Sequence, residues 1–403
     1  MNRARLVFIC AAVVLPVTGI VMVIVSNGRR PAPVENPMPT VAGAVGQRTA
    51  GAGDQLPPAL VQKLSDLQTR AATARLLGEQ KDRRAGSYLR TYCSDPDTAV
   101  RLNSIWALGE INDTRAGLEI STRTSDPDPE VRLAAAVALA KLVAATDPAE
   151  SVVSGLTDSL KSEDVKIRLA AAQGLAKCNN ELGLAVLVDL LGHADPAIGK
   201  GAEDGLRGVG EAMIPTLIKA LAKPRVDEAT LRNVRLLALL KKKDAAPALL
   251  GVVRVVCADA RQGSTPQAAP PLQVSIRQAC VEALIAIGPE IIPVLDEQVI
   301  RERCPLGVKS AGADVLKTFG SAAVAPIAQR IITREIFPEE LELKLWIDTL
   351  GEIGDPTAAP ALRSALTKPV DDREFYRRSV EEAVRKIEAK TGRKLPLLPA
   401  ALP

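Results

Sequence analysis

The chain has 403 residues, a 47% hydrophobic share and only 2% aromatics, so its apolar content is mostly Ala, Val, Leu and Ile, which suits helices packed closely side by side. Its 51 basic and 47 acidic residues give a net charge of +4 with no block of five or six like charges, which argues against a field that collects nucleic acid. The single histidine, His193, excludes a His-based metal cluster, and the six cysteines lack the Cys-x-x-Cys spacing of zinc or redox sites.

Residues Leu6–Val25 form an uncharged apolar run of 20 residues. A helix of that length spans about 30 Å, the thickness of a bilayer core. Signal-peptide apolar regions are shorter, roughly 7–15 residues, and no small-x-small cleavage site follows closely. The expectation for residues 1–30 is an uncleaved single-pass anchor, with a cleaved signal as the alternative. Arg3 and Arg5 flank one end and Arg29 and Arg30 the other. The positive-inside rule leans to a cytoplasmic N-terminus, which places the remaining chain on the extracytoplasmic side; a cytoplasmic body is the other outcome. Residues 31–58 carry Pro31, Pro33, Pro37, Pro39, Pro57 and Pro58 without amphipathic period and read as a disordered linker.

Self-similarity dominates the rest. VRLNSIWALGEIND from Val100, VRLAAAVALAKLVA from Val131, IRLAAAQGLAKCNN from Ile167 and IRQACVEALIAIGP from Ile276 share one frame. Position 1 is apolar, position 2 Arg, position 8 small and position 9 Leu. Position 9 recurs as Leu77, Leu108, Leu139, Leu175, Leu206, Leu239, Leu284, Leu316, Leu350 and Val384. Spacings of three and four put positions 1, 5, 8, 9 and 12 on one helix face. Glycine follows several helices, as at Gly210, Gly288, Gly320 and Gly354, and Asp-Pro pairs (Asp95-Pro96, Asp126-Pro127, Asp195-Pro196) precede others, as stop and start signals. A second apolar segment lies between these helices, for example Leu182–Leu191 and Val324–Ile332. Each unit is therefore a pair of antiparallel helices, and stacked pairs share one core.

SDPDTAVRLNSIWALGEI (Ser94–Ile111) and SDPDPEVRLAAAVALAKL (Ser125–Leu142) resemble the HEAT-like repeats of bacterial proteins, the group that includes the PBS-lyase-like repeats. Ile198-Gly199 lacks the Arg, and Glu342-Leu343 lacks both the apolar residue and the Arg. The resemblance implies an all-α fold: a right-handed α-solenoid of about ten HEAT repeats over 59–390, followed by a Pro-rich tail over 391–403. It says little about function, since such repeats serve mostly as scaffolds. One subgroup binds iron through His-Glu pairs and hydroxylates a modified lysine, but no His-Glu pair exists here. Another attaches bilin pigments, which leaves a lyase-type or accessory subunit as an alternative.

Four features are candidate sites. Position 2 forms an Arg ladder, Arg101, Arg132, Arg168, Arg232, Arg277 and Arg377, with Arg70 in the first unit and Lys309 in one copy. Phosphate clamps are one reading; pairing with the turn carboxylates Asp95, Asp126, Asp164 and Asp195 is the favoured one. His193 sits in a turn and suggests no metal. Cys257 and Cys280 flank the longest gap, over Ala258–Leu272, and could close it as a disulfide or remain buried thiols. Positions 4, 7 and 11 form an exposed stripe: Asn103, Trp106 and Glu110; Val137 and Lys141; Gln173 and Lys177; Leu237 and Lys241; then acidic residues from Glu282 onward. Trp106 is either its hot spot or a cover for the core edge. The expected function is a membrane-anchored scaffold that binds a protein or peptide partner on this stripe, with no catalytic, cofactor-binding or metal-binding residue and no small-molecule substrate; a spacer of the cell envelope is the third reading.

Overall fold

The computed structural model describes residues 55–143, 147–259, 271–333, 340–367 and 373–395. The Leu6–Val25 span, the linker up to residue 54 and residues 396–403 fall outside them. Among the described residues every regular element is helical. No single described helix is long and apolar enough to cross a membrane.

Among the described residues twenty α-helices follow one another as ten pairs. The first members are α1 (Pro58–Ser65), α3 (Gly86–Tyr92), α5 (Gly117–Ser121), α7 (Glu150–Ser159), α9 (Glu181–Leu190), α11 (Ile214–Ala220), α13 (Ala246–Asp259), α15 (Ile292–Leu295), α17 (Val324–Thr333) and α19 (Ala359–Ala365). The second members are α2 (Arg70–Glu79), α4 (Thr98–Glu110), α6 (Pro129–Leu142), α8 (Val165–Lys177), α10 (Pro196–Arg207), α12 (Glu228–Leu240), α14 (Pro271–Ile287), α16 (Leu306–Thr318), α18 (Glu340–Ile353) and α20 (Arg373–Thr391). A π-helical turn over Asp296–Arg301 extends α15. Each even helix packs on its odd partner and on the next even helix, which builds an α-solenoid. The gap between Cys257 and Cys280 is largely helical at its ends, since α13 runs to Asp259 and α14 starts at Pro271.

The starts of α4, α6, α8 and α10 have a local cause. Asp97 accepts the Ala99 and Val100 N–H groups, Asp128 those of Glu130 and Val131, Asp164 that of Lys166 and Asp195 that of Ala197. In Ser-Asp-Pro-Asp the cap is therefore the second aspartate, not the Asp of the Asp-Pro pair. The ends are as regular. Four residues after position 9 the backbone turns left-handed, at Lys81, Asn112, Asn179, Gly210, Lys241, Gly288, Gly320 and Gly354, with φ between 51° and 103°. This cap lets the chain reverse into the next odd helix.

That landmark corrects the register of α12. Leu239 is 54% exposed, whereas Leu237 is 1% exposed and lies in the core. Position 9 is thus Leu237, two residues earlier than the leucine spacing suggests. Lys241, expected on the stripe, is the left-handed cap (φ 51°). Arg232 moves to position 4, and the stripe positions of α12 become the half-buried Arg232 and the exposed Arg235 and Leu239. The other position-9 leucines, Leu77, Leu108, Leu139, Leu175, Leu206, Leu284, Leu316 and Leu350, are fully buried.

Candidate functional site

The Arg ladder follows the turn edge where odd helices pass into even ones. Arg101 Nη1 donates to the carbonyls of Asp95 (3.0 Å) and Pro96 (3.1 Å) in its own turn. Its Nε and Nη2 reach forward to both carboxylate oxygens of Asp126, each at 3.0 Å. Arg70 also pairs with Asp95, but through Nη1 alone at 2.5 Å, its Nε and Nη2 going to the Leu64 and Ser65 carbonyls, and it stacks 4.9 Å from the Tyr92 ring. Beyond this the ladder changes. Arg132 and Arg168 bond the carbonyls of their own turns, Asp126 and Pro127, and Ser162 and Glu163. The expected pairing with Asp164 and Asp195 does not form, because those carboxylates cap helices. Arg277 reaches Asp314 at 3.3 Å, and Arg377 pairs with Glu381 within its own helix at 3.2 Å. Arg232 lies against Gly199, the position where α10 lacks its Arg: a Cβ there would sit 2.0 Å from Arg232 Nη1.

Asp126 is the most constrained carboxylate of this edge. Burial works against its charge, but hydrogen bonds from Arg101 and the Asp128 N–H, with the charges of Arg101 and Arg123, hold it below its ordinary value. A depressed folded value stabilises the fold above the unfolded value, and that stability disappears as pH falls through the folded one. Urea unfolding between pH 7 and pH 3 should therefore show Asp126→Asn less stable at neutral pH, with a flatter loss of stability below about pH 4 than the parent.

The stripe side chains link neighbouring repeats. Asn103 Nδ2 donates to the Ala71 carbonyl at 3.2 Å. The Trp106 ring lies 3.8 Å from the Arg75 guanidinium and covers Gly78, where an added Cβ would meet Trp106 Cζ3 at 2.6 Å. Glu110 pairs with Lys141. Gln173 Nε2 donates to the Gly201 carbonyl at 2.8 Å, and Lys177 Nζ to that of Ala140 at 2.6 Å. Burial, and then the neighbouring Lys141, lowers the Lys177 ammonium from its ordinary value. Val137 is half-buried against Ala136, Ile167 and Ala170. Leu237, as stated, is core. The acidic trend toward the C-terminus is matched pairwise: Asp314 with Arg277 and Lys317, Asp348 with Lys344, and Glu352 and Glu382 with Lys386.

His193 Nδ1 accepts the Asp195 N–H at 3.0 Å, a turn role. Among the described residues no group of three or more His, Cys, Asp or Glu could hold a metal. Cys257 and Cys280 are thiols rather than a disulfide. Burial, and then Cys257 nearby, pushes the Cys280 thiol up to about 12, so it carries no thiolate at neutral pH.

The model of HEAT repeats matches residues 57–140 and 153–238, and that of the PBS lyase HEAT-like repeat matches residues 347–368. The chain carries HEAT repeats over these segments. No curated protein sequence matches it. Among solved structures it is similar to the complex of CpcE and CpcF of phycocyanin lyase from Nostoc sp. PCC7120, at 17% identity over 70% of this chain and 100% of that chain, with a TM-score of 0.34. Importin beta is similar at 13% identity over 85% of this chain and 52% of that chain, with a TM-score of 0.37. Human deoxyhypusine hydroxylase is similar at 18% identity over 65% and 94% respectively, with a TM-score of 0.28.

Proposed function

We propose that this HEAT-repeat protein is a membrane-anchored scaffold that docks a protein or peptide partner along its even-helix face, without catalysis. In this reading Leu6–Val25 holds the solenoid on the extracytoplasmic side. The supporting observation is the even-helix face itself. It runs through successive repeats and is held in register by bonds from each repeat to the next, such as Glu110–Lys141, Gln173–Gly201 and Glu352–Lys386. A preordered surface of this kind binds an extended partner at low ordering cost. The PBS lyase HEAT-like match over residues 347–368 favours a second reading, an accessory or lyase-type subunit.

The test uses the tagged full-length chain recovered from detergent-solubilised membranes, with a compartment-sensitive reporter after Pro403. One stoichiometric partner should co-purify. It should be lost from the Arg235→Glu/Leu239→Glu variant, which alters two exposed side chains and should keep its helical circular dichroism. Recovery of the chain without any partner would sink the docking reading in favour of a spacer. A soluble chain, or a cytoplasmic signal from the reporter, would sink the anchored arrangement.

A further inference from the structure

The repeats differ at one position of the turn edge. In four successive turns, before α4, α6, α8 and α10, the residue two before the even-helix cap accepts the cap residue's own N–H. Asp95 accepts from Asp97 at 2.9 Å, Asp126 from Asp128 at 3.1 Å, Ser162 from Asp164 at 3.2 Å and His193 from Asp195 at 3.0 Å. In the first two turns this residue also receives the guanidinium of the preceding even helix, from Arg70 and Arg101, 25 residues earlier in the chain. In the next two, Ser162 and His193 satisfy the same N–H but bring no carboxylate.

Arg132 and Arg168 therefore stand where Arg101 stands, without its partner. Each fixes Nη1 on two carbonyls of its own turn, as Arg101 does. Nε and Nη2, the pair that holds Asp126 in Arg101, have no protein partner among the described residues in either side chain. Both side chains are half-buried, so their forks are already oriented. The exposed Glu130 and Glu163 form no ion pair with them. Because His193 Nδ1 accepts, the ring's hydrogen is on Nε2 as a donor, and the Ser162 hydroxyl likewise has a hydrogen to give. In the register of the Arg101–Asp126 turn, each turn thus joins a planar two-donor fork to a further hydroxyl or ring N–H donor, which is the complement of a carboxylate.

We propose that Arg132 and Arg168, with Ser162 and His193, form a paired carboxylate-binding site for an acidic extended segment of a protein partner. The two forks belong to adjacent packed helices, α6 and α8, whose axes lie about 8–10 Å apart. A polyproline-II segment repeats every three residues with a rise of about 3.1 Å, so residues i and i+3 face one side about 9 Å apart. The matching pattern is Glu-x-x-Glu. That the ligand is a protein rests on the docking reading above; the site itself is separate from the even-helix stripe.

The test is fluorescence anisotropy of the full-length chain in neutral detergent with a labelled Pro-rich peptide carrying Glu-x-x-Glu. The Gln-x-x-Gln peptide should bind about tenfold more weakly or worse, and Arg132→Gln/Arg168→Gln should lower affinity by a similar factor. Ser162→Asp/His193→Asp supplies the missing carboxylates from within. It should abolish peptide binding while raising the thermal midpoint, which separates site loss from misfolding. Equal binding of the two peptides, or peptide binding unaffected by Ser162→Asp/His193→Asp, would overturn the proposal. Arginine-dependent capture of anionic lipid vesicles without peptide binding would overturn it in favour of a lipid ligand. Failure here with the co-purified partner still dependent on Arg235 and Leu239 would strike this site alone and leave the docking reading standing.

Discussion

Glu342→Gln is expected to destabilise the eighth and ninth repeats by about 3–5 kcal/mol, the cost of breaking a buried ion pair from one side. Glu342 is 2% exposed and stands at position 1 of α18, where most other repeats carry Val or Ile. Its Oε1 accepts from Lys309 Nζ and from Arg330 Nη2, each at 3.0 Å. Lys309, itself 3% exposed, holds position 2 of α16 and also donates to the carbonyls of Val299 and Glu302 at 3.2 Å. The fully buried Trp346 closes the group, its Nε1 3.5 Å from the same oxygen. Here the usual Arg-to-turn pair has become a Lys-to-helix pair sealed in the core. Glutamine keeps the shape and removes the charge, so two cations are left in a poor solvent for them. Replacing all three, as Lys309→Met/Arg330→Met/Glu342→Leu, should recover most of the loss, since an apolar cluster of similar volume serves a core as well. Urea unfolding followed by Trp346 emission in a Trp106→Phe background would read both. A loss below about 1 kcal/mol for Glu342→Gln, typical of an exposed pair, would show that water reaches the cluster.

The sequence made the helix pairs legible because each repeat writes the same apolar face. The register of α12 was harder, for a physical reason. Leu236, Leu237, Leu239 and Leu240 form a nearly unbroken apolar run, so periodicity does not choose among them, and Arg232 imitates position 2 two residues too late. The better signal was the end of the helix. Lys241 precedes Lys-Lys-Asp-Ala-Ala as Asn112 precedes Asp-Thr-Arg-Ala-Gly, and both are left-handed caps. The candidate surface was legible only as positions. That Trp106 covers Gly78, or that Lys177 reaches back to Ala140, depends on the distance between successive helices, which no single repeat encodes. The Arg ladder shows the same limit: six arginines share a letter, yet their partners differ because the following turn supplies Asp126, Ser162 or His193.

That distance is set by small residues at two positions, 8 and 10, of which only position 8 stands out in the repeat. A Cβ on Gly109 would lie 3.1 Å from the Ala138 Cα, one on Gly174 2.9 Å from the Ala140 Cα, and one on Gly351 2.7 Å from the Ala383 Cα. In each case the obstacle is backbone, which moves only if the whole helix moves. Gly351→Ala is therefore expected to cost about 1–3 kcal/mol, as overpacking does, even though alanine is the better helix former. Gly251, inside α13, has nothing within 4 Å of its added Cβ. There the same substitution should stabilise by about 1 kcal/mol through helix propensity alone. Urea unfolding of the two variants beside the parent compares one methyl group in two settings with opposite expected signs. If both variants gain stability, α18 and α20 are not held at their separation by this contact. The inter-repeat bonds that depend on close helices, Glu352 with Lys386 among them, would then be a consequence of side-chain reach rather than of the crossing.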